Sequence, residues 1–199
     1  MTEVDKQKFR SLTQSESAQG VLAIAGIKEY DDLDTLLEKI SSRSGADRPF
    51  LLILDEITDP HNTGALIRTA ECAGVDGVIL PKHHAASLTD IVLKTSAGAV
   101  EHIPISRVIN IANTIDRLKD DGYWIIGTDG TADKLYNEID FTMPVAVIIG
   151  AEGKGMRRLV KEKCDFLVRI PLKGKIESLN ASVAGAVIMY EVVRQRSSG

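Results

Sequence analysis

From residue 50 onward, short runs of apolar residues alternate with segments whose apolar residues recur every three or four positions. The runs have the length of strands, and two of them, Phe50–Leu54 and Val145–Ile149, are apolar at every position. Strands of that kind are covered on both faces, as in a parallel sheet between two layers of helices. The alternation therefore predicts an α/β fold with a mostly parallel sheet and helices on both faces.

The same pattern predicts the individual elements. Besides the two strands above, it predicts strands at Gly77–Leu80, Tyr123–Thr128 and Phe166–Ile170. It predicts helices at Leu66–Ala73, residues 89 to about 95, Val108–Leu118, Met156–Lys163 and Leu179–Arg196. Upstream, helical spacing of leucines and Ile40 predicts a helix near residues 33–40, and Val21–Ile27 has the length of a strand. Residues 1–20 are polar and predict a linker or the remnant of a preceding domain, which leaves 21–199 as the main domain.

Length and composition exclude several classes of protein. With 199 residues, 26% of them charged, the chain suits one globular domain and is far from disordered compositions. Its longest uncharged stretch, Ser178–Tyr190, has 13 residues, whereas a membrane span needs about 20. No apolar segment led by Lys or Arg opens the chain, which argues against a secretory signal. The two cysteines, Cys72 and Cys164, are too few for a disulfide scaffold and suit the cytoplasm.

Charge is distributed unevenly along the chain. Residues 150–199 carry a net charge of +5, and residues 1–149 carry −9. A basic C-terminal quarter suits a polyanion such as RNA, but a solvated helix face explains the same charge equally well. The residues of that face would be Lys154, Arg157, Arg158, Lys161 and Lys163. A pI near 5.6 argues against an independent nucleic-acid-binding protein of the strongly basic type.

Three polar segments that contain glycine follow predicted strands, which is where ligands bind in open parallel sheets. The first is "LDEITDPHNTGALIRTAECAG". Asn62 or Thr63 can cap the helix that follows, and Gly64 lets another chain or a ligand approach it closely. Arg68 either seeks an anion near this positive helix end or pairs with Glu71 or Asp59. Cys72, later in this helix, is predicted to be a small core residue.

The second segment is "VAVIIGAEGKGM", in which three glycines within six residues can form a backbone cradle. It is not a phosphate-binding loop of the Walker A type, because Lys154 is followed by Gly155 and not by Ser or Thr. Glu152 lies among the glycines and would repel phosphate. The segment therefore favours a hydroxyl-bearing or cationic ligand over a nucleoside triphosphate.

The third segment, "VRIPLKGKIESLNASVAGAVIMYEVV", joins a predicted strand to a helix through a basic loop. Ser178, Leu179 and Asn180 open that helix, and its many small residues permit close packing against another helix. Taken alone, this segment is better explained by Ser178 acting as the N-cap of a core helix than by a ligand site.

Together, "DPHNTGALIRTA", "IIGAEGKGM" and "IPLKGKIESLNASVAGA" resemble the three motifs of the SpoU (TrmH-like) branch of the SPOUT RNA methyltransferases, in the same order. The resemblance covers about residues 50–194. It is greatest to the RlmB type, which methylates guanosine ribose in bacterial large-subunit ribosomal RNA. The segment "AQGVLA" at residues 18–23 also resembles the hinge of that type, although a His is usual at Ala18.

The resemblance implies a C-terminal deep trefoil knot that forms the pocket for S-adenosylmethionine, and a homodimer that completes the pocket and the RNA site across its interface. Backbone groups of Gly150, Ile170 and Leu179 would hold the adenine and ribose of the cofactor. The same pocket would be lined by Thr128, Asp129, Gly130, Leu172 and Ser178.

The resemblance also implies four catalytic residues: Asn62, Arg68, Glu152 and Asn180. Methyl transfer to a ribose 2′-hydroxyl needs alignment, removal of a proton and stabilisation of the developing charge, and it needs no metal. Because the pKa of arginine lies above 12, we expect Arg68 to grip a phosphate and lower the pKa of the hydroxyl instead of acting as the base. Glu152 would orient Arg68 or accept the proton, and Asn62 and Asn180 would position the ribose.

Members of the RlmB type begin with a separate RNA-binding domain, whereas only some 20 residues precede "QGVLA" in this chain. Methylation of tRNA ribose and antibiotic-resistance methylation of ribosomal RNA therefore remain alternatives. A catalytically silent RNA-binding or ribosome-assembly protein on the same fold is a further alternative. Presence of all four catalytic candidates favours the enzyme.

Overall fold

The computed structural model describes residues 4–12, 28–43 and 48–197. Within them lies a seven-stranded sheet in the order β3-β2-β1-β6-β4-β7-β5, and every strand pair in it is parallel. The strands are Phe50–Asp55 (β1), Gly77–Pro81 (β2), Ile105–Val108 (β3), Trp124–Thr128 (β4), Lys134–Leu135 (β5), Val145–Gly150 (β6) and Phe166–Arg169 (β7). The predicted parallel α/β sheet is confirmed.

Helices cover both faces of this sheet, except for Lys6–Leu12 (α1), which buries no residue. The covering helices are Leu33–Ser41 (α2), Pro60–Cys72 (α3), Asp90–Thr95 (α4), Ala99–His102 (α5), Ile111–Asp120 (α6), Arg158–Glu162 (α7) and Ala181–Ser197 (α8), with a 3₁₀ turn at Tyr136–Glu138. One apolar core lies between the sheet and α3, α4, α5 and α8, and a second lies between the sheet and α2, α6 and α7. No helix in the described ranges is both long and apolar enough to cross a membrane.

β1 and β6 lie at the centre of the sheet because their residues are apolar on both sides. Along β1, Leu52 and Leu54 pack into the first core, whereas Leu51 and Ile53 pack into the second, and all four are fully buried. Burial of each such side chain contributes about 1.5–3 kcal/mol. Two layers of helices therefore hold this strand pair, and their carboxyl ends are fixed relative to each other.

α3 begins earlier than predicted, at Pro60 and not at Leu66. The carboxylate of Asp59 caps it by accepting the backbone N–H of His61 at 3.0 Å. The prediction that Asn62 or Thr63 caps the helix is therefore wrong. Both residues are buried inside its first turn. The polar stretch looked like a loop because these side chains face other parts of the protein and break the apolar period.

The helix predicted at Val108–Leu118 is confirmed as α6, but it begins three residues later, because Val108 ends β3, a strand that the pattern did not predict. Asn110 caps α6 by accepting the backbone N–H groups of Ala112 and Asn113. The four-residue strand escaped detection because Ser106 and Arg107 interrupt its apolar run. Within the predicted linker, α1 is helical, whereas residues 13–20 and the predicted strand Val21–Ile27 lie outside the described residues.

Two glycines let helices of the first core approach closely. A Cβ at Gly64 would lie 2.7 Å from the Cβ of Thr95 in α4, so α4 is the element that Gly64 admits, and not a ligand. A Cβ at Gly185 in α8 would overlap the side chain of Leu66 in α3. The small residues of α8 thus serve packing against α3 within the chain.

Candidate functional site

A cavity of about 420 Å³ lies at the carboxyl ends of three adjacent strands, β6, β4 and β7. The loops at 128–131, 149–155 and 168–179 enclose it, and the first turns of α8 close one side. We call it the β6–β4–β7 cavity. All eight residues predicted to bind the cofactor line it: Thr128, Asp129, Gly130, Gly150, Ile170, Leu172, Ser178 and Leu179.

Backbone forms much of this cavity where the chain turns after β6. Ala151 and Gly155 exchange backbone hydrogen bonds of 3.1 and 2.8 Å, which fold the loop back on itself. Gly153 and Gly155 have φ of +75° and +68°, values that residues with a side chain rarely adopt. A Cβ at Gly150 would overlap the backbone of Gly155 and Met156. The glycines are therefore required by the shape of this turn.

A buried ion pair fixes the end of the same loop to the neighbouring strand. The carboxylate of Asp55, at the end of β1, is fully buried and accepts the backbone N–H and Nε of Arg157, each at 2.8 Å. Nη2 of Arg157 lies 2.6 Å from Asp55 Oδ1. Asp55 thereby satisfies both a backbone group and a charge. Sequence reasoning missed this contact, because Asp55 reads as the end of a strand and Arg157 as part of a solvated basic face.

The other basic residues near α7 are largely paired within the chain. Lys161 lies 2.6 Å from Asp129, Lys163 lies 2.5 Å from Asp116, and Arg158 lies 2.5 Å from Glu162. Exposed pairs of this kind contribute little to stability. They nevertheless neutralise basic side chains that the sequence analysis considered as a surface for RNA.

The pair with Lys161 matters for the β6–β4–β7 cavity, because Asp129 lines it. Desolvation raises the pKa of Asp129, but hydrogen bonds from Lys161 and Thr131 outweigh it and hold the pKa below its ordinary value. The carboxylate is therefore charged at neutral pH, and it connects the loop after β4 to α7.

A second cavity, of about 310 Å³, lies between the carboxyl ends of β1 and β6, and we call it the β1–β6 cavity. Loop residues after β1, β2 and β6 line it together with Asn62 of α3. It shares Ala151, Glu152, Lys154 and Ala181 with the β6–β4–β7 cavity, and these four residues form the shared wall. Two ligands bound in the two cavities would meet at this wall.

Three of the four predicted catalytic residues form one hydrogen-bonded network at the shared wall. The side-chain amide of Asn180 donates to Asn62 Oδ1 at 2.9 Å and to Glu152 Oε1 at 2.7 Å. The backbone N–H of Ala181 also donates to Glu152, at 3.2 Å. The side-chain oxygen of Asn180 accepts the backbone N–H of Ser182 at 3.0 Å, so Asn180 caps α8 and the predicted cap, Ser178, does not.

Arg68, the fourth predicted catalytic residue, lies apart from this network. It is exposed, lines neither cavity, and makes no ion pair with Glu71 or Asp59. Arg68 lies six positions after Asn62 along α3, which places the two side chains about 120° apart around the helix. The sequence predicted that Glu152 would orient Arg68 or accept the proton. Within one chain, Glu152 binds Asn180 and does not contact Arg68.

The prediction that Cys72 is a core residue is wrong. Cys72 is exposed and is not a core residue, whereas Cys164 lies against Gly127 and is partly buried, so that desolvation raises the pKa of its thiol to about 12. Trp124 stacks on Phe166 with ring centroids 5.5 Å apart but keeps 43% of its surface exposed. Across the described ranges, no three His, Cys, Asp or Glu side chains are grouped as metal ligands would be.

Comparison with known proteins matches residues 49–190 to the SpoU rRNA Methylase family. The chain is 50% identical over 179 residues to a TrmH-family tRNA/rRNA methyltransferase of Bacillus subtilis, YacO; the match covers 90% of this chain and 71% of YacO.

Solved structures of RNA methyltransferases superpose on this chain. The SpoU methyltransferase AviRb from Streptomyces viridochromogenes, in complex with its cofactor AdoMet, is 33% identical with a TM-score of 0.74, over 86% of this chain and 67% of that one. In another AviRb structure the chain spans 66% of the length of the protein. An RNA 2′-O ribose methyltransferase is 26% identical with a TM-score of 0.75, over 98% of this chain and 72% of that one.

Proposed function

The chain belongs to the SpoU family of S-adenosylmethionine-dependent RNA methyltransferases, and we propose that it methylates the ribose 2′-hydroxyl of a guanosine in large-subunit ribosomal RNA. The observation that carries this proposal is the shared wall. It holds Glu152 and adjoins Asn62 and Asn180, between a cavity suited to the cofactor and a cavity open to a nucleotide.

The β6–β4–β7 cavity fits S-adenosylmethionine in shape and charge. Ile170, Leu172 and Leu179 offer apolar walls for an adenine ring, and the turn at Gly150 exposes backbone groups beside them. Three carboxylates and three basic side chains line it, and this balance suits a ligand that carries a sulfonium, an amino group and a carboxylate better than a polyphosphate. When bound, the cofactor supplies an electrophilic methyl group on a sulfonium.

The residues of the network act on the ribose. Asn62 and Asn180 hold its hydroxyl groups in place at the shared wall, which aligns the 2′-oxygen for attack. The carboxylate of Glu152 accepts the hydroxyl proton, and Asn180 keeps that carboxylate oriented through the hydrogen bond of 2.7 Å.

We assign Arg68 to a site completed by a second copy of the chain. Its guanidinium is exposed and has no partner among the described residues, so it is available to grip a phosphate of RNA bound to the partner subunit. Val183 and Tyr190 lie seven residues apart on one face of α8 and expose 48% and 51% of their surface, which suits a homodimer interface. As parts of the same proposal, the chain forms a C-terminal trefoil knot, residues 21–199 form the catalytic domain, and the protein acts in the cytoplasm.

Calorimetric titration tests the cofactor site. The protein is titrated with S-adenosylmethionine and with its demethylated product, S-adenosylhomocysteine, and ATP is the control. We expect saturable binding of the first two and none of ATP. A folded sample that binds neither would remove the methyltransferase assignment and favour a silent RNA-binding protein.

Transfer of labelled methyl groups to purified RNA tests the substrate. We expect incorporation into unmodified large-subunit ribosomal RNA. Transfer RNA is the second candidate, because YacO is described as a tRNA/rRNA methyltransferase. Incorporation into tRNA alone would replace the ribosomal target with that one.

A further inference from the structure

The β1–β6 cavity contains one carboxylate that the fold does not use. Three carboxylates line it: those of Glu56, Asp59 and Glu152. Asp59 caps α3, and Glu152 accepts hydrogen bonds from Asn180 and Ala181. The carboxylate of Glu56 accepts no hydrogen bond from any described residue, and its one charged neighbour, Nε of Arg157, lies 3.9 Å away and is bonded to Asp55. Glu56 thus presents two oxygens that accept no hydrogen bond, and only one of them, Oε1, lies within ion-pair distance of Arg157.

Glu56 is held in this place by an unusual backbone conformation. Its φ is 61°, in the left-handed region that is disfavoured for residues with a side chain. His84, which lines the same cavity from the loop after β2, has a φ of 60°. In the described ranges, only one other residue with a side chain, Ala97, has a positive φ. The surrounding structure therefore imposes two such conformations on the lining of a single cavity, as is common at ligand sites.

An ionised carboxylate only accepts hydrogen bonds. On the Watson–Crick edge of a base it therefore needs two adjacent donors, and guanine alone offers them, in its N1–H and its amino group. Adenine and cytosine each place an acceptor beside their amino group, and uracil flanks its single N–H with two acceptors. Enzymes that act on one nucleotide of a folded RNA read the extruded base on this edge and stack it on a neighbouring ring.

We propose that Glu56 is a specificity-determining residue that reads the Watson–Crick edge of the target base and selects guanine. The proposal rests on the proposed function, because the nucleotide in the β1–β6 cavity must reach the shared wall to receive a methyl group. A volume of about 310 Å³ is at the lower end of ligand cavities, about 300–1,000 Å³, and suits a single nucleoside. The ring of His84 supplies a face on which the base stacks.

Mononucleotides test the site without the RNA. Guanosine, inosine and adenosine monophosphates are titrated by NMR into the protein saturated with S-adenosylhomocysteine. Inosine monophosphate lacks only the amino group. We expect the wild type to bind the guanosine compound about tenfold more tightly than the inosine compound. In Glu56→Gln we expect this preference to disappear, because the glutamine amide opposes the donors of guanine.

The control is Glu71→Gln, which removes an exposed carboxylate of α3 that lines neither cavity and should keep the tenfold preference. Both variants should bind S-adenosylhomocysteine as the wild type does. Equal affinity of the wild type for the guanosine and inosine compounds would overturn the proposal, as would a preference that survives in Glu56→Gln. Lack of nucleotide binding at millimolar concentration by a protein that binds S-adenosylhomocysteine would also overturn it.

Methylated nucleosides from the RNA assay provide the second arm. Nuclease digestion and mass spectrometry should find 2′-O-methylguanosine as the product of the wild type. Another 2′-O-methylnucleoside as the product would overturn the role of Glu56 while upholding methyl transfer. Failure of cofactor binding would instead overturn the proposed function, so the two failures are distinguishable.

Discussion

The two cavities at the carboxyl edge of the sheet share a wall but are built from different parts of the chain. The β6–β4–β7 cavity is enclosed by three loops, and its shape depends on glycines and on backbone turns. The β1–β6 cavity is lined largely by charged and polar side chains from the start of α3 and from the loops after β1, β2 and β6. Backbone recognises the general shape of a ligand, whereas side chains read its chemistry. We therefore expect the first cavity to respond to changes of volume and the second to changes of functional group.

Substitution of Arg68 should give the largest effect on rate without changing either cavity. Arg68→Ala should reduce methyl transfer by about 100-fold to 1,000-fold, the size expected for loss of a charged group that acts on developing charge. Cofactor affinity should stay within about twofold by calorimetry, because Arg68 lines neither cavity.

Mixed dimers sharpen this prediction. Arg68→Ala and Asn180→Ala are co-expressed with different tags, and the mixed dimer is purified. If Arg68 acts on the partner subunit's site, one of the two sites of the mixed dimer is intact and activity returns to about half. Substantial turnover of Arg68→Ala by itself would sink the assignment.

The β6–β4–β7 cavity should respond next, to added volume. Gly150→Ala forces a Cβ into the backbone of Gly155 and Met156, so the turn must open. We expect a loss of about 1–3 kcal/mol in the free energy of unfolding, the usual cost of overpacking, and a loss of cofactor binding by calorimetry. Gly130→Ala is the matched control for the free energy of unfolding, because it lies in the same cavity with nothing within 4 Å of the added Cβ. Equal free energies of unfolding for the two variants would show that the turn at Gly150 accommodates an added methyl group.

Asn180 belongs to the shared wall, where capping and positioning can be separated. Asn180→Ala removes the cap of α8 and should cost about 1 kcal/mol in the free energy of unfolding. Asn180→Asp keeps an oxygen for the cap but removes the donor to Asn62 and Glu152. In Asn180→Asp a carboxylate oxygen faces Glu152, so we expect some loss of stability and methyl transfer reduced about tenfold or more. Asn180→Ser keeps a capping oxygen without that repulsion and should unfold like the wild type in denaturant. Wild-type turnover of Asn180→Asp would argue that the network has no part in the reaction.

The smallest effect concerns the pH dependence of the β6–β4–β7 cavity. Because the pKa of Asp129 is lowered in the folded protein, the stability from its pair with Lys161 is complete above the ordinary pKa and is lost as the pH falls through the lowered value. Cofactor affinity should therefore be insensitive to Asp129 near neutral pH and decline only as the pH falls through the lowered pKa of this carboxyl. Lys161→Gln should raise the pKa of Asp129 toward its ordinary value and so move that decline to higher pH, with a small effect because the lysine is partly exposed.

Titration of the Asp129 carbon signal by NMR measures this pKa directly in both proteins. Lys163→Gln, which removes the pair with Asp116 away from both cavities, is the matched control. An unchanged pKa of Asp129 in Lys161→Gln would refute the role given to Lys161.

Sequence pattern predicted the strands well where both faces are buried and poorly at the edges of the sheet. β1 and β6 consist of apolar runs, so their composition alone identifies them. β3 carries Ser106 and Arg107, and β5 has two residues, so neither gives a period to read. The start of α3 was missed because Asn62 and Thr63 are buried by contacts with other parts of the fold and not by an apolar face.

The residues predicted to bind the cofactor were identified for a different reason. They were identified by the resemblance of the motifs to a known family and not by the periodicity of apolar residues. All eight line the β6–β4–β7 cavity. Glu56 and the pair of Asp55 with Arg157 were missed, because nothing in a single sequence marks a carboxylate as free or as buried. Only the positions of its neighbours distinguish Glu56, which is free, from Asp55, which is fully paired.

By itself the sequence determined the layered parallel sheet and the three segments at its carboxyl edge. Both follow from local chemistry, since an apolar run buries wherever helices cover it and glycine permits turns that other residues resist. The tertiary structure decided how those segments meet. Asn62, Glu152 and Asn180 lie up to 118 residues apart and join in one network because β1 and β6 are neighbours and α8 returns to α3. Such contacts depend on the order of strands in the sheet, which residue spacing does not encode.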